Sequence, residues 1–368
     1  MATIYLHIGA PKTATSTLQA LLAANFHTLL EGGVLYPERC RHGAAHHVLV
    51  CDLIEKHQGN AMPDFWYGDY ARGLAWQALG EEIRDSGPAL RSVVLSSELF
   101  FGQTNNLRPM LDDMARHLAG HTVRIVVYLR RQDQLYSSFY NQDVKGVRQW
   151  PDNAYRFFHT HQMFQVDYCQ LLNTWAEVFG RENLLIRPYE PQQWRGGAIA
   201  RDFCTVTGLP DLRGAASDSN TSLGATQLCI KRALNRVGYD KAWNDDVVQL
   251  LLQLHPEPPT PNLIYVNRRL YDNYRRQWRR VNASLSEQFL QGRPLFTEDI
   301  PPARDMLPYA VDGVRLAEFV RAVLRHFGRG ASARYRALYA RAALLLLIEH
   351  QLWERFDDAA KHTLSAWA

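Results

Sequence analysis

The chain has 368 residues, 46% of them apolar, enough to bury a large core in one enlarged domain or in a domain with a substantial extension. Lys and Arg number 41 against 37 Asp and Glu; the net charge of +4 favours anionic ligands locally and is too small to point to nucleic acid. Five cysteines (Cys40, Cys51, Cys169, Cys204, Cys229) stand far apart with no C-x-x-C pair, which argues against a disulfide scaffold or a zinc ribbon and for a reducing compartment.

Thr3–Ile8 reads as a short strand, followed by helical periodicity over 13–24. The apolar run has no basic flank and turns at Gly9–Pro11 too soon for a secretory leader, so a cytoplasmic protein is expected. "GVLYP" (33–37) is a second strand ended by proline, and 44–57 and 74–84 are helical. "RSVVLSSE" (91–98) and "TVRIVVYLRR" (122–131) share one design, an apolar strand running into polar residues. Helices are expected near 107–118, over 132–144 and over 168–180, and "NLLIRPYE" (183–190) is a further strand. Strands alternating with helices of this length predict an α/β fold, a parallel sheet flanked by helices. From about 220 the strands stop, and 223–235, 244–253, 264–291, 314–327 and 331–357 read as a helical C-terminal extension. Its apolar block Ala342–Ile348 is far shorter than the roughly 18 residues of a membrane span, so no transmembrane segment is expected. That block suits a buried core helix or a homodimer face.

Residues 3–18, "TIYLHIGAPKTATSTL", carry the densest chemistry. In a parallel sheet, ligands sit beyond the carboxyl ends of the strands, where a helix N-terminus offers free N–H groups and a positive dipole end. Gly9 lets backbone approach a ligand, Lys12 adds a charge, and Thr13, Thr15, Ser16 and Thr17 add hydroxyls within one turn. A nucleotide-triphosphate loop needs a second glycine immediately before its lysine; here Pro11 stands there, so that motif is absent.

Pro11-Lys12-Thr13-Ala14-Thr15-Ser16-Thr17 resembles the 5′-phosphosulfate loop, P-K-[TS]-G-[TS]-[TS], of sulfotransferases that use 3′-phosphoadenosine 5′-phosphosulfate (PAPS). Ala14 departs from the family's glycine; a helical residue there would tolerate the methyl group better than a left-handed turn would. "LRRQDQLYSSFYNQ" similarly matches the family's 3′-phosphate signature, with Arg130 at a strand end and Ser138 eight positions later, although Arg131-Gln132 replaces Asn-Pro. An arginine fork and a hydroxyl suit a terminal phosphate. Weaker similarity extends the resemblance, of bacterial carbohydrate type, over roughly residues 3–296, including "NTSL" (220–223) and 278–296.

The resemblance implies a P-loop-like sulfotransferase fold, with a PAPS-binding core over 1–215 and a helical part over 216–368 packed on it. It implies in-line sulfuryl transfer from PAPS to a hydroxyl or amine acceptor, a saccharide above a lipid or phenol, with no required metal. Lys12 would stabilise the leaving phosphate oxygen. His46 and His47 follow the second strand, where such enzymes place an acceptor-side base, and imidazole titrates in the right range. His46 ranks first because Leu49 and Leu53 share its helical face; Glu98 of "SSE" is the rival base, or the group that orients a histidine. Aromatic segments 62–70 and 150–164 suit ring stacking in an acceptor site or ordinary packing. An ATP-dependent kinase and a non-catalytic nucleotide-binding module are the alternatives.

Overall fold

A five-stranded, wholly parallel sheet organises the N-terminal half. The computed structural model describes residues 1–101, 106–161, 167–214, 222–259, 263–264, 266–330 and 333–368. In chain order come β1 (Thr3–His7), α1 (Thr15–Ala24), α2 (Phe26–Glu31), β2 (Val34–Leu35), α3 (His47–Gln58), α4 (Ala75–Asp85), β3 (Ser92–Ser96), α5 (Leu107–His117) and β4 (Thr122–Leu129). There follow α6 (Gln132–Lys145), α7 (Ala154–His161), α8 (Tyr168–Phe179), β5 (Leu184–Pro188) and α9 (Ile199–Thr207). The strand order is β2-β3-β1-β4-β5. Val93–Leu95 and Ile125–Leu129 are fully buried, which is why these strands read as continuous apolar runs rather than alternating ones.

The chain leaves β1 toward β2 and β3, and leaves β4 toward β5, so the order reverses between β1 and β4. Such a switch point opens a crevice at the carboxyl ends of those two strands. Their register pairs His7 with Val126 on one side and with Ser96 of β3 on the other.

Two compact units divide the chain: Met1–Arg131 with Asp167–Ser217 and Trp278–Asp299, and Gln132–Val166 with Asp218–Gln277 and Ile300–Ala368. In the first, Leu18, Leu22 and Phe203 are fully buried against the sheet, each contributing about 1.5–3 kcal/mol. The buried Asp202 carboxylate ties α9 to β4 and β5. It accepts from Tyr128 Oη at 2.7 Å and from Arg187 Nε at 3.0 Å and Nη2 at 2.6 Å. Farther along, Glu190 Oε2 accepts from the backbone N–H of Thr297 at 2.9 Å and from its hydroxyl at 2.8 Å, fastening the returning segment beside β5.

The second unit is helical. Its further elements are α10 (Ala225–Val237), α11 (Asn244–Leu254), β6 (Leu263–Ile264), the start of α12 (Arg268–Phe289), β7 (Leu307–Pro308), α13 (Gly313–Gly328), α14 (Arg336–Glu349) and α15 (Asp358–Trp367). α10 packs on α14, α6, α11 and α13 around Ile230, Leu234, Phe319, Val320, Tyr339 and Leu346. Buried Lys231 joins α10 to α6, donating to the Val144 carbonyl at 3.0 Å and to Asn235 Oδ1 at 2.6 Å.

Two stretches depart from expectation here, and of two readings open for a third the structure favours packing. Strands do not stop at 220, because β6 and β7 pair in parallel, and helix begins at Arg268 rather than 264. The helix expected over 331–357 ends at Glu349, Gln351 is left-handed (φ 53°), and Asp357 caps a new helix through the Ala360 N–H. Finally, 154–161 is helix α7, with Phe157 and Phe158 buried beside Tyr140, so this aromatic stretch packs its own unit; residues 162–164 lie outside the described residues. "NTSL" falls partly outside them too. Among the described residues no helix is long and apolar enough to cross a membrane.

Candidate functional site

Beyond β1 the backbone keeps pairing with β4: Ile8 N–H donates to the Val126 carbonyl at 3.0 Å and Ala10 N–H to the Tyr128 carbonyl at 3.3 Å. Gly9 lies between them. A Cβ there would meet Thr15 Cγ2 at 2.5 Å and His7 Nε2 at 2.9 Å, so the loop's own packing already demands glycine. φ is then positive at Lys12 (69°) and Ala14 (56°) but not at Thr13 or Thr15. Alternating φ sign points successive N–H groups into one concavity, an anion nest. α1 starts immediately after it with no side-chain cap and no acidic residue in its first turn, so its N-terminal field is uncompensated by carboxylates of its own.

Two sequence expectations for this loop are revised. Ala14 is the left-handed N-cap of α1, not a helical residue, and an L-residue held there costs about 1–2 kcal/mol. Thr13 is buried and its hydroxyl donates to the Ala10 carbonyl at 2.5 Å, closing the turn. Thr15 is also buried, whereas Ser16 is exposed and Pro11, Lys12 and Thr17 are half-buried.

Arg130 ends β4 and turns back to this loop, its Nη1 donating to the Lys12 carbonyl at 3.1 Å. Its guanidinium lies 5.4 Å from the centre of the Tyr189 ring, and Tyr168 Oη donates to its carbonyl at 2.5 Å. Arg131 is buried and reaches Glu298 Oε2 and the Asp299 carbonyl, both at 3.3 Å. Lys12 and Arg130 are thus brought together at the switch point. Ser138 lies half-buried on α6 in the second unit.

A second polar cluster closes β3. His46, the leading base candidate, is not available for that work. It precedes α3 as its N-cap residue and is fully buried; Nε2–H donates to the Pro37 carbonyl at 3.0 Å and Nδ1 accepts from Ser96 N–H at 3.0 Å. Burial, partly opposed by the backbone hydrogen bonds, lowers its pKa to about 3. Sharing a face with Leu49 and Leu53 is what buries it.

His47, the first residue of α3, is placed differently. Nδ1 lies 2.8 Å from Ser97 Oγ, Nε2 lies 3.9 Å from Glu98 Oε1, and the side chain is 10% exposed. Burial lowers its pKa, the Glu98 carboxylate opposes that shift, and His42 reinforces it, so the ring is neutral near pH 7. With a proton on Nδ1 donated to Ser97, Nε2 presents a lone pair beside a carboxylate. That is the arrangement of a general base whose cation is stabilised as it forms.

Sequence reasoning missed the residues behind this pair. Gln19 of α1 is buried; its Nε2 donates to Glu98 Oε2 at 2.9 Å and to Ser96 Oγ at 3.3 Å. Ser96 Oγ also meets buried His7 Nδ1 at 2.8 Å, and burial lowers the pKa of His7 to about 4. The available signal was Gln19 standing four residues after Thr15, on one helical face. From the 62–70 aromatic segment, Trp66 meets the His47 ring edge-on at 4.8 Å, and Phe65 lies 4.8 Å from Trp66 while 62% exposed. Arg72 holds this loop through Glu55, Asp64 and the Met62 carbonyl.

No protein-family model matches the chain. An uncharacterized protein from Archaeoglobus fulgidus is 27% identical over 170 residues, 44% of this chain and 44% of its own, so the match spans less than half of that relative. The crystal structure of a sulfotransferase from Alicyclobacillus acidocaldarius aligns with a TM-score of 0.38 and 16% identity, over 68% of this chain and 94% of that one. At that score the likeness carries no functional argument.

Proposed function

We propose that this protein is a sulfotransferase that moves a sulfuryl group from PAPS to an acceptor hydroxyl or amine. The observation that carries the reading is the loop after β1. Its lysine-bearing nest opens onto an uncapped helix N-terminus, in a segment whose sequence follows the 5′-phosphosulfate pattern at every position but Ala14. In this reading Lys12 and the loop N–H groups hold the 5′-phosphosulfate and Arg130 takes the 3′-phosphate. Ser138 enters on its spacing from Arg130 alone.

The reaction forms one bond from the acceptor oxygen or nitrogen to sulfur and breaks the sulfur–oxygen bond to the phosphate. The acceptor's proton passes to His47 Nε2, with the Glu98 carboxylate stabilising the imidazolium. Negative charge gathers on the former bridging oxygen, where Lys12 is worth more in the transition state than in the ground state. Half-buried Trp66 against His47, with exposed Phe65 beside it, supports an acceptor with a ring face, a saccharide by preference. Five buried free thiols fit a cytoplasmic location.

Thermal-shift measurements with adenosine 3′,5′-bisphosphate, AMP and ATP with magnesium test the reading, because a ligand bound only to the native state raises the midpoint. The bisphosphate should stabilise most. Stabilisation by ATP with magnesium alone would favour a kinase. Bisphosphate binding without sulfuryl transfer to any acceptor would leave a binding module.

A further inference from the structure

The amide of Gln19 sits where two elements of different duty meet. It belongs to α1, whose N-terminus forms the nest, yet its Nε2 donates to Glu98 Oε2 at 2.9 Å and to Ser96 Oγ at 3.3 Å at the end of β3. Glu98 Oε1 then stands 3.9 Å from His47 Nε2, close enough for Coulombic attraction and too far for a hydrogen bond. Nε2 of His47 has no hydrogen-bond partner among the described residues, while Nδ1 is engaged by Ser97.

We propose that Gln19 is a positioning residue that tethers Glu98 away from His47, keeping Nε2 open to receive the acceptor's proton. Without the tether the carboxylate loses its amide donor, and the imidazolium N–H becomes its nearest substitute. A direct His47–Glu98 pair would hold a proton in the resting state and occupy the nitrogen that the acceptor needs. Because the tether starts on α1, its geometry also depends on how that helix is seated behind the donor loop. The idea rests on the proposed role of His47, but its geometry can be read without any reaction.

Among the described residues, the titratable groups that act on His47 are Glu98 from the β3 end, His42 from the preceding loop and the adjacent, neutral His46. Ser97 and Trp66 also touch its ring. The test is an NMR titration of the His47 ring in the full chain, carried out on wild type, Gln19→Met, Glu98→Gln and the double variant. Met keeps length and apolar packing while removing the donor. Gln19→Met should raise the His47 pKa by about one unit, as a carboxylate brought into contact does. On the Glu98→Gln background the same change should shift it by less than about 0.3 units, since neighbours that act through one another fail to add.

No shift in the single variant, or an equal shift in both backgrounds, would overturn the tether. If Gln19→Met does not fold, Gln19→Leu, which likewise lacks the donor, replaces it in the same two titrations. The single variant should again raise the His47 pKa and the Glu98→Gln background should again suppress the rise; no rise, or an equal one, would overturn the tether. Adenosine 3′,5′-bisphosphate affinity is measured alongside. Its absence in wild type would sink the sulfotransferase reading whatever the titration shows, so the two failures are distinguishable.

Discussion

The loop after β1 and the cluster after β3 lie at the carboxyl ends of strands that are hydrogen-bonded neighbours, and they are built by opposite means. The loop is local. Its nest is backbone over Lys12–Thr15, and the helix field comes from the next residues of the same chain. The cluster is assembled from residues 7, 19, 47 and 96–98, held by side-chain hydrogen bonds across as many as 89 positions of separation. A site made of backbone tolerates substitution of its side chains except where φ or charge is at stake. A site made of side chains depends on each one.

The sharpest break of that comparison is at the histidines. His47→Ala should reduce turnover by about 10²–10⁴-fold, the range for a positioned base, with nucleotide affinity kept. His46→Ala should instead lower stability and leave the folded fraction active, since its ring only joins Pro37 to Ser96. Steady-state kinetics beside denaturant unfolding separates the two, and the reverse pattern would restore His46 as the base. In the loop, Lys12→Ala should cost about 10²–10³-fold in turnover without loss of fold. Near-normal turnover would dismiss it as the leaving-group stabiliser.

Acid should weaken the cluster before it touches the loop. His7 and His46 are neutral in the fold, with pKa values lowered to about 4 and about 3, while the unfolded chain takes up those protons near 6.5. Stability is therefore complete above about pH 7 and falls as pH drops through 6.5 toward 4, by roughly 2–3 kcal/mol per ring. Urea unfolding at pH 7.5 and 4.5 measures the fall; equal stability at the two would mean that the rings are not held neutral.

Smaller effects sharpen the loop's side of the comparison. Arg130→Ala should weaken adenosine 3′,5′-bisphosphate by about 10–100-fold, as the loss of charge-assisted hydrogen bonds does, and AMP by less. Equal losses for the two ligands, by calorimetric titration, would assign Arg130 to holding the Lys12 carbonyl alone. Ala14→Gly should stabilise by about 1 kcal/mol, since glycine removes the left-handed strain at φ 56°. Destabilisation in thermal melts would mean the strain is smaller than glycine's entropy.

What the sequence determined by itself is whatever neighbouring residues decide together. Buried parallel strands need unbroken apolar runs, so Val93–Leu95 and Ile125–Leu129 announced themselves, as did the polar residues that end them. The loop was legible because a nest and a helix start are contiguous, and Arg130 because it closes a strand. The break in the last helical stretch escaped for local reasons: Gln351 ends a helical pattern without a glycine, and Asp357 starts the next helix. Only tertiary structure set the different surroundings of His46 and His47. Adjacent residues at a helix start point different ways, and the sheet end they meet, Ser96 against Ser97, is 50 positions distant. It alone set Ala14 left-handed, because the loop must reverse within a few residues between a strand paired to β4 and a helix packed on the sheet. It also brought Gln19 to Glu98, a contact across 79 positions that no periodicity encodes, since a side-chain hydrogen bond exists only after both backbones are in place.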